Sequence, residues 1–145
     1  MNHHLKVQLD HDDDGTAGIV AEVKSNGFSG KGEAWFNLSE IKAFASQLEA
    51  FAKTLNNPPI IEGGLWNEEG GLTEKLLSQR LYPISNHRIG MQVILADYPY
   101  TDSRPEEISR LSLELKPEAQ ATIEFARQLV RLVTEKSGVA ILECR

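Results

Sequence analysis

Two segments of this chain are apolar along one side only, and each follows a run in which polar and apolar residues alternate. That pairing narrows the possible folds more than any other feature. A helix with a single apolar face must bury it against a sheet or another helix. In the first segment Ile41, Phe44, Ala45, Leu48, Phe51, Ala52 and Leu55 recur at three- and four-residue steps. Ser39 is the predicted N-cap, and Asn56-Asn57-Pro58-Pro59 is the predicted stop. In the second segment Ala119, Ile123, Ala126, Leu129, Val130 and Val133 form the stripe. Pro117 and Glu118 suit a first turn, Arg127, Arg131 and Lys136 suit the C-terminal end, and Gly138 suits the cap.

The alternating runs predict strands, because successive side chains of a strand point to opposite faces. Leu5, Val7 and Leu9 share one face, as do Ile19, Ala21 and Val23, and then Ala34, Phe36 and Leu38. Asp- and Gly-rich clusters between these runs predict turns, and Gly27 to Gly32 reads as a flexible hairpin loop. The later part repeats the scheme with Ile89, Met91, Val93 and Leu95, then Leu111, Leu113 and Leu115, and a short closing strand at Val139 to Glu143. Phe44-Ala45-Ser46-Gln47-Leu48 lines up with Phe125-Ala126-Arg127-Gln128-Leu129. The expectation is an α+β fold, a strand-strand-helix unit used twice. It has one antiparallel sheet of about six strands with both helices on one face. The chain reads as one domain, 1–145, with related parts at about 5–57 and 81–143. The stretch 58–80 reads as irregular, with Gly-Gly turns around Trp66, a short strand near Ile60-Ile61 and another starting near Leu81-Tyr82.

Charge removes several classes of function. Fifteen Lys/Arg against 21 Asp/Glu leave −6, and up to Arg80 there are seven basic and twelve acidic residues. No basic stripe suits nucleic acid, and no basic amphipathic segment suits a membrane surface. The start, MNHHLK, lacks a signal-peptide core, and no apolar run is long enough to span a bilayer. One cysteine, Cys144, can form neither an internal disulfide nor a thiolate metal site, which predicts a reducing, cytoplasmic setting.

Several motifs carry possible chemistry. Asp10, Asp12 and Asp14 before Gly15 match the opening of a calcium loop, but the expected bidentate carboxylate falls at Ala21. A solvated hairpin turn explains the same residues. Asp12-Asp13-Asp14-Gly15-Thr16 also matches the nucleophile loop of haloacid-dehalogenase phosphatases, in a chain too short for that fold. His3, His4 and His11 could meet the acidic knot, though the first two sit on a terminus expected to fray. His87 falls in a turn without a companion nucleophile, and Gly27 to Gly32 precedes a strand where a phosphate cradle needs a helix. No catalytic residue or cofactor is expected.

The aromatic residues point to contact with another chain. Alternation sends Val20, Trp35 and Ile94 to the face away from the helices, and Trp66 is the residue placed to cover or extend that patch. Tyr98-Pro99-Tyr100 is a loop suited to recognition or simply to a turn.

Gly27-Phe28-Ser29-Gly30-Lys31-Gly32-Glu33-Ala34-Trp35-Phe36, then Gly63-Gly64-Leu65-Trp66, then the late strand-helix unit, carry a resemblance. The chain resembles a group of small uncharacterised bacterial proteins sharing a GFSGxGxAWF run and a GGxW element, from about Gly15 onward. More loosely it resembles immunity proteins of the WapI type, acidic cytosolic antagonists of bacterial toxins. The resemblance implies a non-enzymatic protein-binding module and carries over no catalytic residue. The alternatives are a homodimer formed through the outer faces, and a divalent-metal domain built on Asp10 to Asp14.

Overall fold

A computed structural model describes residues 3–100 and 102–144. The strands are β1 (His3–His11), β2 (Thr16–Ser25), β3 (Phe28–Asn37), β4 (Ile60–Trp66), β5 (Leu72–Ser85), β6 (Arg88–Asp97), β7 (Ser109–Leu115) and β8 (Ala140–Cys144). Helix α1 spans Leu38–Thr54 and α2 spans Ala119–Glu135. The fold is α+β, but the single six-stranded sheet is wrong. There are two antiparallel sheets of four strands, ordered β3-β2-β1-β8 and β4-β5-β6-β7.

The reason lies in the glycines of β3. Only Asn26 and Gly27, both with positive φ, make the turn after β2, so the expected flexible loop is a strand from Phe28 onward. On its inner face β3 offers Gly30, Gly32, Ala34 and Phe36 in succession. Gly30 lies against Leu111 of β7, and Gly32 against Leu95 of β6 and the Leu76 carbonyl of β5. Ala34 and Phe36 lie against Gly63 of β4. Thus β3 is laid across all four strands of the second sheet, a crossing that bulky side chains at 30, 32 and 63 would hold apart.

The stretch 58–80, expected to be irregular, is instead most of a long hairpin. Gly63-Gly64 is not a turn but a bulged part of β4, and only Asn67 to Gly71 turns. The strand expected near Leu81 begins at Leu72. His3 and His4, expected to fray, belong to β1, which is held between β2 and β8.

Helix α1 starts after Asn37, not Ser39, and Leu38 is its first residue rather than the last of a strand. The Glu40 carboxylate accepts the Asn37 backbone N–H at 3.1 Å, which favours the earlier start. Helix α2 starts after Glu118, so Pro117 precedes it, and its left-handed cap is Lys136, with Gly138, also at positive φ, two residues beyond. Its buried stripe includes Thr122, Phe125 and Leu132, which the sequence stripe lacked, while Ala119 is exposed. The helices pack on each other; α2 also meets β1 and β8, and α1 meets β3 and β4. Both sheets and both helices share one core in which Phe51 and Phe125 are fully buried. Each such ring contributes about 1.5–3 kcal/mol on burial. At the surface Glu49 pairs with Lys53 within α1 and with Arg127 across to α2, where screening leaves both pairs little weight.

A Cβ on Gly63 would stand 2.8 Å from Phe36 Cζ. Gly63→Ala is therefore expected to cost about 1–3 kcal/mol in urea unfolding, although alanine otherwise favours the folded state at a compatible site. In a Phe36→Leu background the penalty shrinks. An equal penalty in both backgrounds would show that the ring is not the obstacle.

Candidate partner-binding site

Trp35 points away from the core because Ala34 and Phe36 point into it. Its cross-strand partner is Gly18, and the indole lies over that bare backbone: a Cβ there would sit 3.3 Å from Trp35 Cε2. This pairing explains part of the tryptophan's burial, yet 48% of the residue stays exposed. Trp66 ends β4 and is 55% exposed, beside exposed Leu65. The contact of Phe36 with Gly63 brings these two strands together. As a result Trp35 and Trp66, one from each sheet, line a shallow depression of about 360 Å³ with Thr16, Phe36, Asn37 and Glu40.

Glu40 lines it, and further carboxylates belong to the segments that line it. Asp14 Oδ1 accepts both the Thr16 backbone N–H (3.1 Å) and the Thr16 hydroxyl (2.6 Å). These bonds, the hydroxyl first, hold Asp14 below the usual aspartate range. The Asp12 backbone N–H donates to the Thr16 carbonyl, and the Gly15 carbonyl accepts the Leu38 N–H, so the acidic turn abuts the start of α1. Glu33 Oε2 lies beside Trp35 over Gly18. Glu68 and Glu69 follow Trp66 in a turn whose Glu69 and Gly71 amides donate to Asn67 Oδ1. No lysine or arginine lines the depression.

The other sequence candidates fall elsewhere. Val20 is half-buried on the same outer face as Trp35, paired with Glu33 and Gln8. Ile94 is also half-buried and faces outward, but on the second sheet, between Ser78 and Ser112. The structure therefore unites Trp35 with Trp66 and separates Ile94 from them. Asp10, Asp12 and Asp14 occupy the end of β1 and a hairpin turn, where Asp12 and Asp14 accept backbone amides. Among the described residues no group of three His, Cys, Asp or Glu is placed to hold a metal ion.

His3 Nδ1 meets Ser25 Oγ at 2.8 Å, His4 pairs with Lys24 and Glu143 in the register, and His11 Nε2 donates to the Leu132 carbonyl of α2 at 2.9 Å. His87 is exposed in the β5–β6 turn. Cys144 lies beside His3 in the register, and burial pushes its thiol up to about 11, so it is protonated at neutral pH.

The sequence reading missed the polar ladder on the outer face of the second sheet. Arg80 Nη2 donates to Gln92 Oε1 (2.9 Å), and Gln92 Nε2 donates to Ser112 Oγ (3.3 Å). The Tyr82 hydroxyl donates to Glu114 Oε2 at 2.5 Å, with Arg80 over its ring. Burial, then the Glu114 bond, push that phenol up to about 12. Tyr98 donates to Glu74 and carries Arg110 over its ring, while Tyr100 is exposed. The period-two pattern within 72–85 was the available signal for this face.

No protein-family model matches the chain, and neither a curated protein nor a solved structure matches it. Among the described residues no helix is long and apolar enough to cross a membrane.

The Asp14 bonds set a pH dependence. A carboxyl held below its unfolded value stabilises the fold above the ordinary aspartate range, and that stabilisation disappears as pH falls through the lowered value. Asp14→Ala is expected to lower Tm at neutral pH. The gap to the parent should close under acid, and a gap unchanged down to pH about 2 would show that ionised Asp14 is not its source.

Proposed function

We propose that this chain is a protein-binding module that receives a basic segment of its partner at the Trp35–Trp66 depression. One observation supports this reading above the others: two half-exposed tryptophans from separate sheets line one depression with Glu40, and among the described residues no lysine or arginine lines it. Tryptophan is concentrated where interfaces draw most of their binding energy. An indole face attracts arginine or lysine, worth about 0.5–2 kcal/mol when partly desolvated. The surrounding acids, Asp12, Asp14, Glu33, Glu40, Glu68 and Glu69, steer a cationic partner and speed its docking.

Self-association through this same surface is disfavoured, since two copies would set like carboxylates against each other. An acidic antagonist of a basic protein, the role implied by the resemblance to immunity proteins, fits the site. A reducing, cytoplasmic setting belongs to the same proposal. The calcium-loop reading has less support, because the Asp12 and Asp14 oxygens already serve the turn.

Both tryptophans of the chain lie at this site, so selectively excited tryptophan fluorescence reports on it. Titration with an oligoarginine peptide at low salt is expected to change the emission, and the affinity should fall toward about 0.5 M salt. Trp66→Ser should weaken binding by roughly two- to thirty-fold. Emission unmoved at millimolar peptide, or equal affinity in the variant, would overturn the proposal.

A further inference from the structure

Each sheet has two edge strands, and three of the four edges are capped, distorted or poor templates. Strand β3 interrupts its edge with Gly30, Lys31 and Gly32, and glycine and lysine there make a poor template for a further strand. Strand β4 is broken by register shifts at Gly63/Gly64 and Leu65/Trp66. On β8 the outward N–H of Ile141 is capped by Gln128 Oε1 of α2 at 2.7 Å. Strand β7 differs. It pairs with β6 from Met91↔Leu115 to Asp97↔Ser109 without a shift, and it contains no proline, glycine or lysine. Among the described residues nothing pairs with its outer edge. Natural sheets rarely leave a regular edge of this kind open, because it is a template for another strand.

The sequence of β7 is complementary to itself. Side chains directly opposite each other in an antiparallel pair share a face. With Ser112 on a two-fold axis, Arg110 stands opposite Glu114 of the partner subunit on the exposed face. On the inner face Leu111 stands opposite Leu113 of the partner subunit; both leucines are only half-buried in the single chain. Sliding the pairing by two residues one way sets Arg110 against Lys116 of the partner subunit, a like-charge contact. Sliding it the other way leaves Arg110 opposite a serine and Glu114 opposite Ile108 of the partner subunit. A one-residue slip would put leucines on the wet face. One register therefore satisfies both faces.

We propose that β7 pairs antiparallel with β7 of a second copy in this register, joining two second sheets into one eight-stranded sheet. Arg110 also donates to the Tyr98 hydroxyl at 3.2 Å, and Glu114 accepts from Tyr82. Each keeps further donors or a second oxygen for the partner subunit.

Sedimentation equilibrium at physiological salt tests this. The chain is expected at twice its 16.1 kDa mass. Arg110→Glu and Glu114→Arg, each alone, set like charges together at two symmetry-related places and should weaken the dimer about tenfold or more. Mixing the two single variants restores attraction at both places, so the mixture should dimerise where neither variant does alone. Far-ultraviolet circular dichroism confirms that both fold. A parent chain that stays monomeric to about millimolar concentration, or a mixture no more associated than its parts, would overturn the proposal.

Discussion

The passage of β3 over the four strands of the second sheet is the contact on which the rest of the molecule depends. It requires that Gly30, Gly32 and Gly63 carry no side chain, since a Cβ at each would meet Leu111, Leu95 or Phe36 at 2.8–3.3 Å. With the backbones that close, the inner faces of two sheets and one face of each helix enclose a common core. The same contact seats Phe36 on β4 and brings Trp35 near Trp66. Core and candidate site thus have one cause.

The local elements were legible because they follow from period alone. Leu5, Val7 and Leu9, or Ile41, Phe44 and Leu48, must face one way for any strand or helix to bury them. The assembly of strands into sheets was not legible, because glycine gives no periodic signal. Gly30 and Gly32 look like a loop, and Gly63-Gly64 looks like a turn, when each marks where another backbone approaches or the strand bulges. Boundaries moved for a related reason. Ser39 is a good cap in isolation, but Asn37 has a glutamate three residues ahead of it, at Glu40.

The candidate site was partly legible. Alternation around Ala34 and Phe36 correctly turned Trp35 outward, and Ile94 likewise, but an outer face means one surface only if there is one sheet. With two, Trp35 and Ile94 look out on different surfaces. Trp66 was expected only to cover or extend the outer patch, whereas its position beside Trp35 depends on Gly63 and could not be read from spacing. The acidic rim was visible as composition, since carboxylates outnumber cations up to Arg80. Only the fold shows that the start of β2, the start of α1 and the end of β4 meet at the indoles, with the β1–β2 turn hydrogen-bonded to the start of α1.

The two proposed contacts use opposite edges of the second sheet, Trp66 on β4 and the open edge of β7. They therefore do not compete. In a dimer joined at β7, each β4 lies at a far end of the eight-stranded sheet, so two acidic aromatic depressions are carried on one hydrogen-bonded layer. A partner with two basic segments at matching separation would meet the second as an intramolecular event, and avidity would exceed the strength of either site. The division of charge suits this arrangement. Carboxylates gather where a foreign cationic surface is expected, while β7 balances Arg110 with Glu114 so that a second copy, acidic as a whole, is still accepted at that one edge.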